Sequence, residues 1–177
     1  MTKFQWVLLI VITAMIGSGW IVLTRAQEGL DAVAGAVAGG VAPDFSLATS
    51  AGETITLSDL RGQTVIINFW ATWCPPCLEE MPAIQEIYDA YRDEGLVVLA
   101  INQDEPADRV IRFAEQHRLT FPLLLDPEFG VTDRYQVGLL PSTFFVDRSG
   151  IVHEVIYGGP LTRAALEARV VALLEQR

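Results

Sequence analysis

Cys74 and Cys77 are the only cysteines among 177 residues, and they stand in the tetrad Cys74-Pro75-Pro76-Cys77. With no third thiol in the chain, they either pair with each other or act on a sulfur outside it. An apolar run, Val65-Ile66-Ile67-Asn68-Phe69-Trp70, precedes them, and a helix-like segment follows. A C-x-x-C at a strand-to-helix junction sets its first sulfur beside the unpaired N–H groups of a helix N-terminus, whose partial positive charge favours a thiolate. Thiolate is the species that attacks a disulfide. The pattern points to thiol–disulfide exchange. A structural disulfide and half of a metal site are the competing readings. A four-ligand zinc site needs further Cys or His at regular spacing, and only His117 and His153 exist. His117 follows the spacing of Val110, Phe113 and Ala114 and reads as a half-buried helix residue. His153 falls within a strand. Neither is given a role, and no metal or cofactor is expected.

Pro75 and Pro76 both lack an N–H, which the first turn of a helix tolerates. Together they withdraw donors that could have bonded the Cys74 sulfur, and no basic residue or histidine separates the cysteines. The thiolate is therefore expected to be stabilised, but less than in the strongest oxidants. A strong oxidant owes its potential to a stabilised reduced form, so this pair favours reduction of its targets.

Glu80 is the further candidate. At about 100° per residue, Cys77, Met81, Ile84, Tyr88 and Tyr91 gather on one face of the helix, with Glu80 at its edge. Glu79 and Glu86 point the opposite way. A carboxylate at an apolar border has its pKa raised by desolvation, which suits a proton acceptor beside a dithiol. The plainer alternative is a tilted surface glutamate. Pro82 is expected to kink this helix.

The elements that must hold these residues follow from pattern and punctuation. Asp44–Leu47 and Thr54–Leu57 flank a turn at Ala51-Gly52 and predict a hairpin. Thr64–Phe69 reads as a strand buried on both faces. A helix runs from the cysteines to about Asp93, closed by Gly95. Leu96–Ile101 predicts a second buried strand, and Pro106–His117 a helix with proline at its first position. A short apolar Leu123-Leu124-Leu125 and a helical turn at Glu128–Tyr135 form an insert. Ser142–Val146 and Ile151–Tyr157 flank a turn at Asp147–Gly150, and Leu161–Glu175 closes as an amphipathic helix. This order calls for an α/β fold: a central mixed sheet with helices on both faces.

Phe4 to Thr24 is 21 residues without a charge, bracketed by Lys3 and Arg25. About 20 apolar residues span a bilayer core, so residues 1–25 are expected to be a membrane anchor. A cleaved signal sequence is the alternative, with Gly17-Ser18-Gly19 as its site, although Trp20-Ile21-Val22-Leu23 continues the apolar run. Residues 26–42, rich in Ala, Gly and Val, read as a linker or a frayed extension of the anchor. From 43 onward 10 arginines and no lysine face 20 acidic residues, which accounts for the whole formal net charge of −10. Such a domain is a poor nucleic-acid binder.

Phe69-Trp70-Ala71-Thr72-Trp73-Cys74-Pro75-Pro76-Cys77, with Leu140-Pro141-Ser142-Thr143-Phe144-Phe145-Val146-Asp147, resembles the thioredoxin superfamily. More narrowly, with Ala42-Pro43-Asp44-Phe45 and the hairpin, residues 43–177 resemble the membrane-anchored, extracytoplasmic TlpA/ResA-like redoxins, which include reductases of cytochrome c maturation. The resemblance implies a thioredoxin-like fold and a protein-disulfide reductase, with Cys74 as nucleophile and Cys77 as resolving thiol of a redox-active disulfide. It associates Glu80, three residues after the second cysteine, with proton transfer. Thioredoxin has a buried Asp where this chain has Asn68, which cannot titrate, so that role would pass to Glu80. Pro141 matches the cis-proline facing the cysteines, where it also blocks stray metal coordination. Leu140 would pair its backbone with an incoming peptide, and Trp73 would add apolar docking surface, core packing being its alternative. Oxidised apocytochrome c is the implied substrate, and a membrane thiol carrier the electron donor. Two other functions compete: a thiol peroxidase and a membrane-tethered copper chaperone. The first uses Pro-x-x-x-Thr-x-x-Cys, which Thr72 does not fit; the second uses a wider cysteine spacing and a distal His.

Overall fold

Every residue of Thr64–Trp70 (β3) is buried, as a run dominated by β-branched and aromatic side chains favours. In the computed structural model, which describes residues 36–176, β3 is the centre of a five-stranded sheet ordered β5-β4-β3-β6-β7. Leu96–Gln103 (β4) lies parallel to β3, and Leu123–Asp126 (β5) parallel to β4. Ser142–Val146 (β6) runs antiparallel to β3, and Val152–Tyr157 (β7) antiparallel to β6. The two parallel steps need long crossovers. These are the helices Pro75–Tyr91 (α1) and Ala107–His117 (α2). The hairpin of Ser46–Ala48 (β1) and Thr54–Thr56 (β2) stands apart as a two-stranded sheet. A short helix, Gly130–Arg134 (α3), follows β5, and Arg163–Leu174 (α4) closes the described chain.

The two-residue period of β3 divides the core. Ile66 and Trp70 join a cluster with Met81, Ile84 and Ile87 of α1, Val110 and Phe113 of α2, and Leu166, Val170 and Leu173 of α4. Val65, Ile67 and Phe69 face the other way, onto Phe45, Tyr135, Phe144 and Val152. Each fully buried side chain of this size contributes roughly 1.5–3 kcal/mol. Asn68 shares the α1 side of β3 with Ile66 and Trp70. The alternation thus aims a polar side chain at the helix that carries the cysteines.

The predicted central sheet, hairpin and helices are found, with local differences. The Leu123 run is a strand that continues the parallel half of the sheet. Pro106 is the N-cap of α2 rather than its first residue. His117 is exposed, not half-buried: α2 ends there because Arg118 takes a left-handed conformation (φ 54°), and the imidazole stacks on Phe113 at 4.2 Å instead. Helix α1 runs through Pro82, whose side chain is exposed, and ends at Tyr91, short of the expected Asp93. Gly95, at φ 97°, caps the 3-10 turn Arg92–Glu94 that follows it. The expected anchor and the first part of the linker lie outside the described residues. The last part is docked on the domain, with Gly39 N–H donating to Val152 and Ala42 N–H to Gly150. Among the described residues no helix is long and apolar enough to cross a membrane.

Candidate active site

Cys74 is the N-cap of α1, in extended conformation (φ −96°, ψ 102°), and the two prolines fill the first helical positions. Since neither proline has an N–H, the first donor available to the Cys74 sulfur is Cys77 N–H, at 3.3 Å. The two sulfurs form a disulfide. Cys74 retains 4% of its surface and Cys77 none, so an incoming reagent meets Cys74 first. A tight turn, closed by Cys74 N–H donating to Ala71 O at 3.2 Å, delivers the cysteine from the end of β3.

A groove of about 380 Å³ runs between Trp73–Pro76 and the loop Val137–Leu140, with Gln103 also in its lining. None of its lining residues is charged. Trp73 and Leu139, 64% and 56% exposed, stand at its rim, so Trp73 is surface rather than core, whereas Trp70 is fully buried against Phe113. Leu140 lines the groove, and the Leu140–Pro141 peptide is cis. A second cis peptide, Gly159–Pro160, has no counterpart in the sequence reading.

Glu80 is not at the edge of the helix face but in it, fully buried together with Cys77, Met81, Ile84 and Ile87. Asn68 Nδ2 donates to Glu80 Oε1 at 2.7 Å and to Thr143 Oγ1 at 3.0 Å. Leu161 N–H donates to Oε2 at 3.0 Å. Burial raises the pKa of this carboxyl above the ordinary value, and the donors Leu161 and Asn68 only partly offset it. Gly159 shows how close the proline lies. A Cβ there would come within 2.6 Å of Pro141 Cγ and 2.8 Å of Glu80 Oε2, so ring and carboxylate meet against the same bare backbone. Asn68 thus holds the carboxylate it was expected to make way for. Thr143, Gly159 and Leu161 complete the setting; no pattern in the sequence marks them, because they reach Glu80 only across the sheet and the last loop. Among the described residues, no group of His, Cys, Asp or Glu gathers as a metal site.

A mixed sheet with helices packed on it, a disulfide-forming C-x-x-C at a helix N-terminus and a neighbouring cis-proline together define the thioredoxin-like thiol–disulfide oxidoreductases. Residues 38–155 match the AhpC/TSA family, and the chain belongs to that family. It is 42% identical over 135 residues to the thiol-disulfide oxidoreductase ResA of Geobacillus kaustophilus, covering 76% of this chain and 77% of the relative. The thioredoxin-like protein YneN of Bacillus subtilis is 40% identical over 135 residues, or 75% and 78% of the two chains. Among solved structures, a thiol:disulfide interchange protein of the thioredoxin family from Chlorobium tepidum superposes with a TM-score of 0.71 at 26% identity, covering 78% of this chain and 98% of that one. StoA from Bacillus subtilis does so with 0.63 at 29%, over 72% and 96%. With its redox-capable pair, the chain is a thiol–disulfide oxidoreductase.

Proposed function

We propose that this chain is a membrane-tethered, extracytoplasmic reductase of protein disulfides, with oxidised apocytochrome c as target and a membrane thiol carrier as its electron source. The uncharged stretch Phe4–Thr24 would be the tether. The resemblance to the TlpA/ResA-like redoxins supports the target. The groove supports a protein substrate: it is apolar, uncharged and bordered by the Leu140 backbone, which suits an extended peptide.

In the reduced form, the Cys74 thiolate attacks one sulfur of the target disulfide. A Cys74–target bond forms, the target S–S bond breaks, and the released target thiolate takes a proton from water. Glu80, ionised, accepts the Cys77 proton. The resulting Cys77 thiolate attacks Cys74 Sγ, and the second target sulfur leaves and is protonated. Two electrons have passed to the target, and the enzyme is left with the Cys74–Cys77 disulfide. Trp73, Leu140 and Pro141 hold the peptide during both steps.

The observation that carries the proton step is a fully buried carboxylate, one turn beyond Cys77, whose pKa is raised by burial. The test follows single turnover of the reduced full chain with oxidised apocytochrome c across pH. Glu80→Gln is expected to slow resolution of the mixed disulfide and to remove the Glu80 limb of the profile. An unaltered rate and profile would remove Glu80 from the reaction.

A further inference from the structure

We propose that Glu105 is a positioning residue for the redox loop, its carboxylate holding the Ala71–Cys74 turn in the pose from which Trp73 and Cys74 together meet a protein disulfide. This rests on the reductase reading above and adds a residue that the cysteine motif does not contain. Glu105 lies in the loop between β4 and α2, yet its side chain is only 4% exposed. Oε1 accepts from the Thr72 hydroxyl at 2.5 Å, and Oε2 from Thr72 N–H at 2.7 Å, so both oxygens close on one residue of the turn. Asn102 Nδ2, at the buried end of β4, donates to Oε2 at 2.8 Å and anchors the carboxylate to the sheet. Arg109 Nη1 donates to Oε1 at 3.3 Å from the first turns of α2. Its side chain is 57% exposed, so this ion pair adds little.

The consequence for the reaction is geometric. Thr72 is the second residue of the turn whose 3.2 Å hydrogen bond, Cys74 N–H to Ala71 O, carries the chain from β3 into α1. The next residue, Trp73, is turned 64% to solvent at the groove rim. Few apolar contacts hold an exposed indole there. A charge-assisted clamp on the preceding residue fixes its backbone instead, and bonds of this kind are about twice as strong as neutral ones. A small disulfide needs only an accessible Cys74 sulfur. A protein disulfide must satisfy Trp73, Cys74 and the Leu140–Pro141 side of the groove at once, and a displacement of about 1 Å in such a constellation costs up to ~10²-fold. The clamp therefore acts on protein substrates.

The test compares reduction of oxidised apocytochrome c with reduction of glutathione disulfide by the full chain. Glu105→Ala is expected to raise KM for the protein about tenfold and Thr72→Val about threefold, with the glutathione disulfide rate within about twofold of wild type. Thr72→Ser, which keeps the hydroxyl, recovers most of the loss. Arg109→Ala, which leaves the Thr72 clamp in place, stays within about twofold on both substrates. If Glu105→Ala does not fold, the Thr72 pair carries the same comparison. Equal losses on both substrates in step with a lower Tm would overturn the positioning role, as would folded variants with an unmoved KM. A wild type active on glutathione disulfide but inert toward every protein disulfide would overturn the reductase reading, and this inference with it.

Discussion

Two buried carboxylates flank the same cysteine pair and are held in opposite ways. Glu80 sits inside the face of α1 with two donors, Asn68 and Leu161, and burial prevails, so its pKa is raised. Glu105 sits at the end of the neighbouring strand. Burial works on it in the same sense, but four donors from Thr72, Asn102 and Arg109 together hold its pKa below the ordinary value. The first is biased toward its protonated form, as the proton acceptor proposed above requires. The second stays charged and can serve only as a fixed anchor. Donor number against desolvation, not residue type, sets the two carboxyl pKa values moving in opposite directions.

The comparison is bounded by the sulfurs themselves. Cys77→Ser should arrest exchange at the Cys74–target stage, visible as a covalent adduct on a non-reducing gel, and Cys74→Ser should leave no reduction at all. A turnover rate that survived either change would void both roles assigned to the carboxylates. Next in size is the proton step: Glu80→Gln should slow resolution about 10²-fold, the lower range for a positioned base. Glu105→Gln should leave the pH profile of that step in place. If both substitutions erased the same limb, the distinction would fail.

Stability should separate the pair by sign. The folded state raises the Glu80 pKa above 4.5, so it favours the protonated acid. The associated stability is full below pH 4.5 and is lost as pH rises through the raised value. Glu80→Gln should therefore gain on wild type as pH climbs. The folded state lowers the Glu105 pKa, so its stability is present above 4.5 and lost as pH falls through the lowered value. Glu105→Gln should lose most at neutral pH and converge with wild type in acid. Thermal melts carried from neutral pH to well below the ordinary carboxylate pKa read both trends. Parallel curves would contradict the assignment.

Gly159→Ala adds a methyl 2.6 Å from Pro141 Cγ and 2.8 Å from Glu80 Oε2. Neither neighbour is the end of a flexible chain free to swing away, so a loss of about 1–3 kcal/mol is expected. Resolution should slow with it. An unchanged Tm would mean that the last loop yields more readily than its packing implies. The smallest effect belongs to Trp73→Ala, which removes the rim contact that Glu105 positions: KM for the protein target should rise about tenfold, equivalent to ~1.4 kcal/mol. No change would shift docking onto the Leu139–Leu140 side.

Much of this was legible beforehand. The buried strand Thr64–Phe69, the cysteines at its exit and the helix beyond them announce themselves because hydrophobic period, proline and cysteine are local signals. Pro141 is legible through resemblance, and nothing local decides whether Trp73 faces solvent or core. Sequence alone sets Glu80 at a helix edge because a helical wheel knows one helix and not its neighbours. The sheet and the loop Gly159–Leu161 cover that edge from outside, which turns a border residue into a buried one. His117 erred the other way: its helix ends where expected, but periodicity does not say whether a neighbouring element covers the last turn.

The amino-acid order by itself determined the cysteine pair, the helix N-terminus that Cys74 caps, and the type and sequence of the elements around it, since each depends on residues within a few positions of one another. Tertiary structure alone decided the direction in which each carboxylate's pKa moves. That depends on Asn68, Leu161 and Gly159 closing on Glu80, and on Thr72 and Asn102 closing on Glu105. Desolvation and donor geometry are properties of an enclosure, and Glu80 and Leu161 become neighbours only when the sheet and its helices assemble.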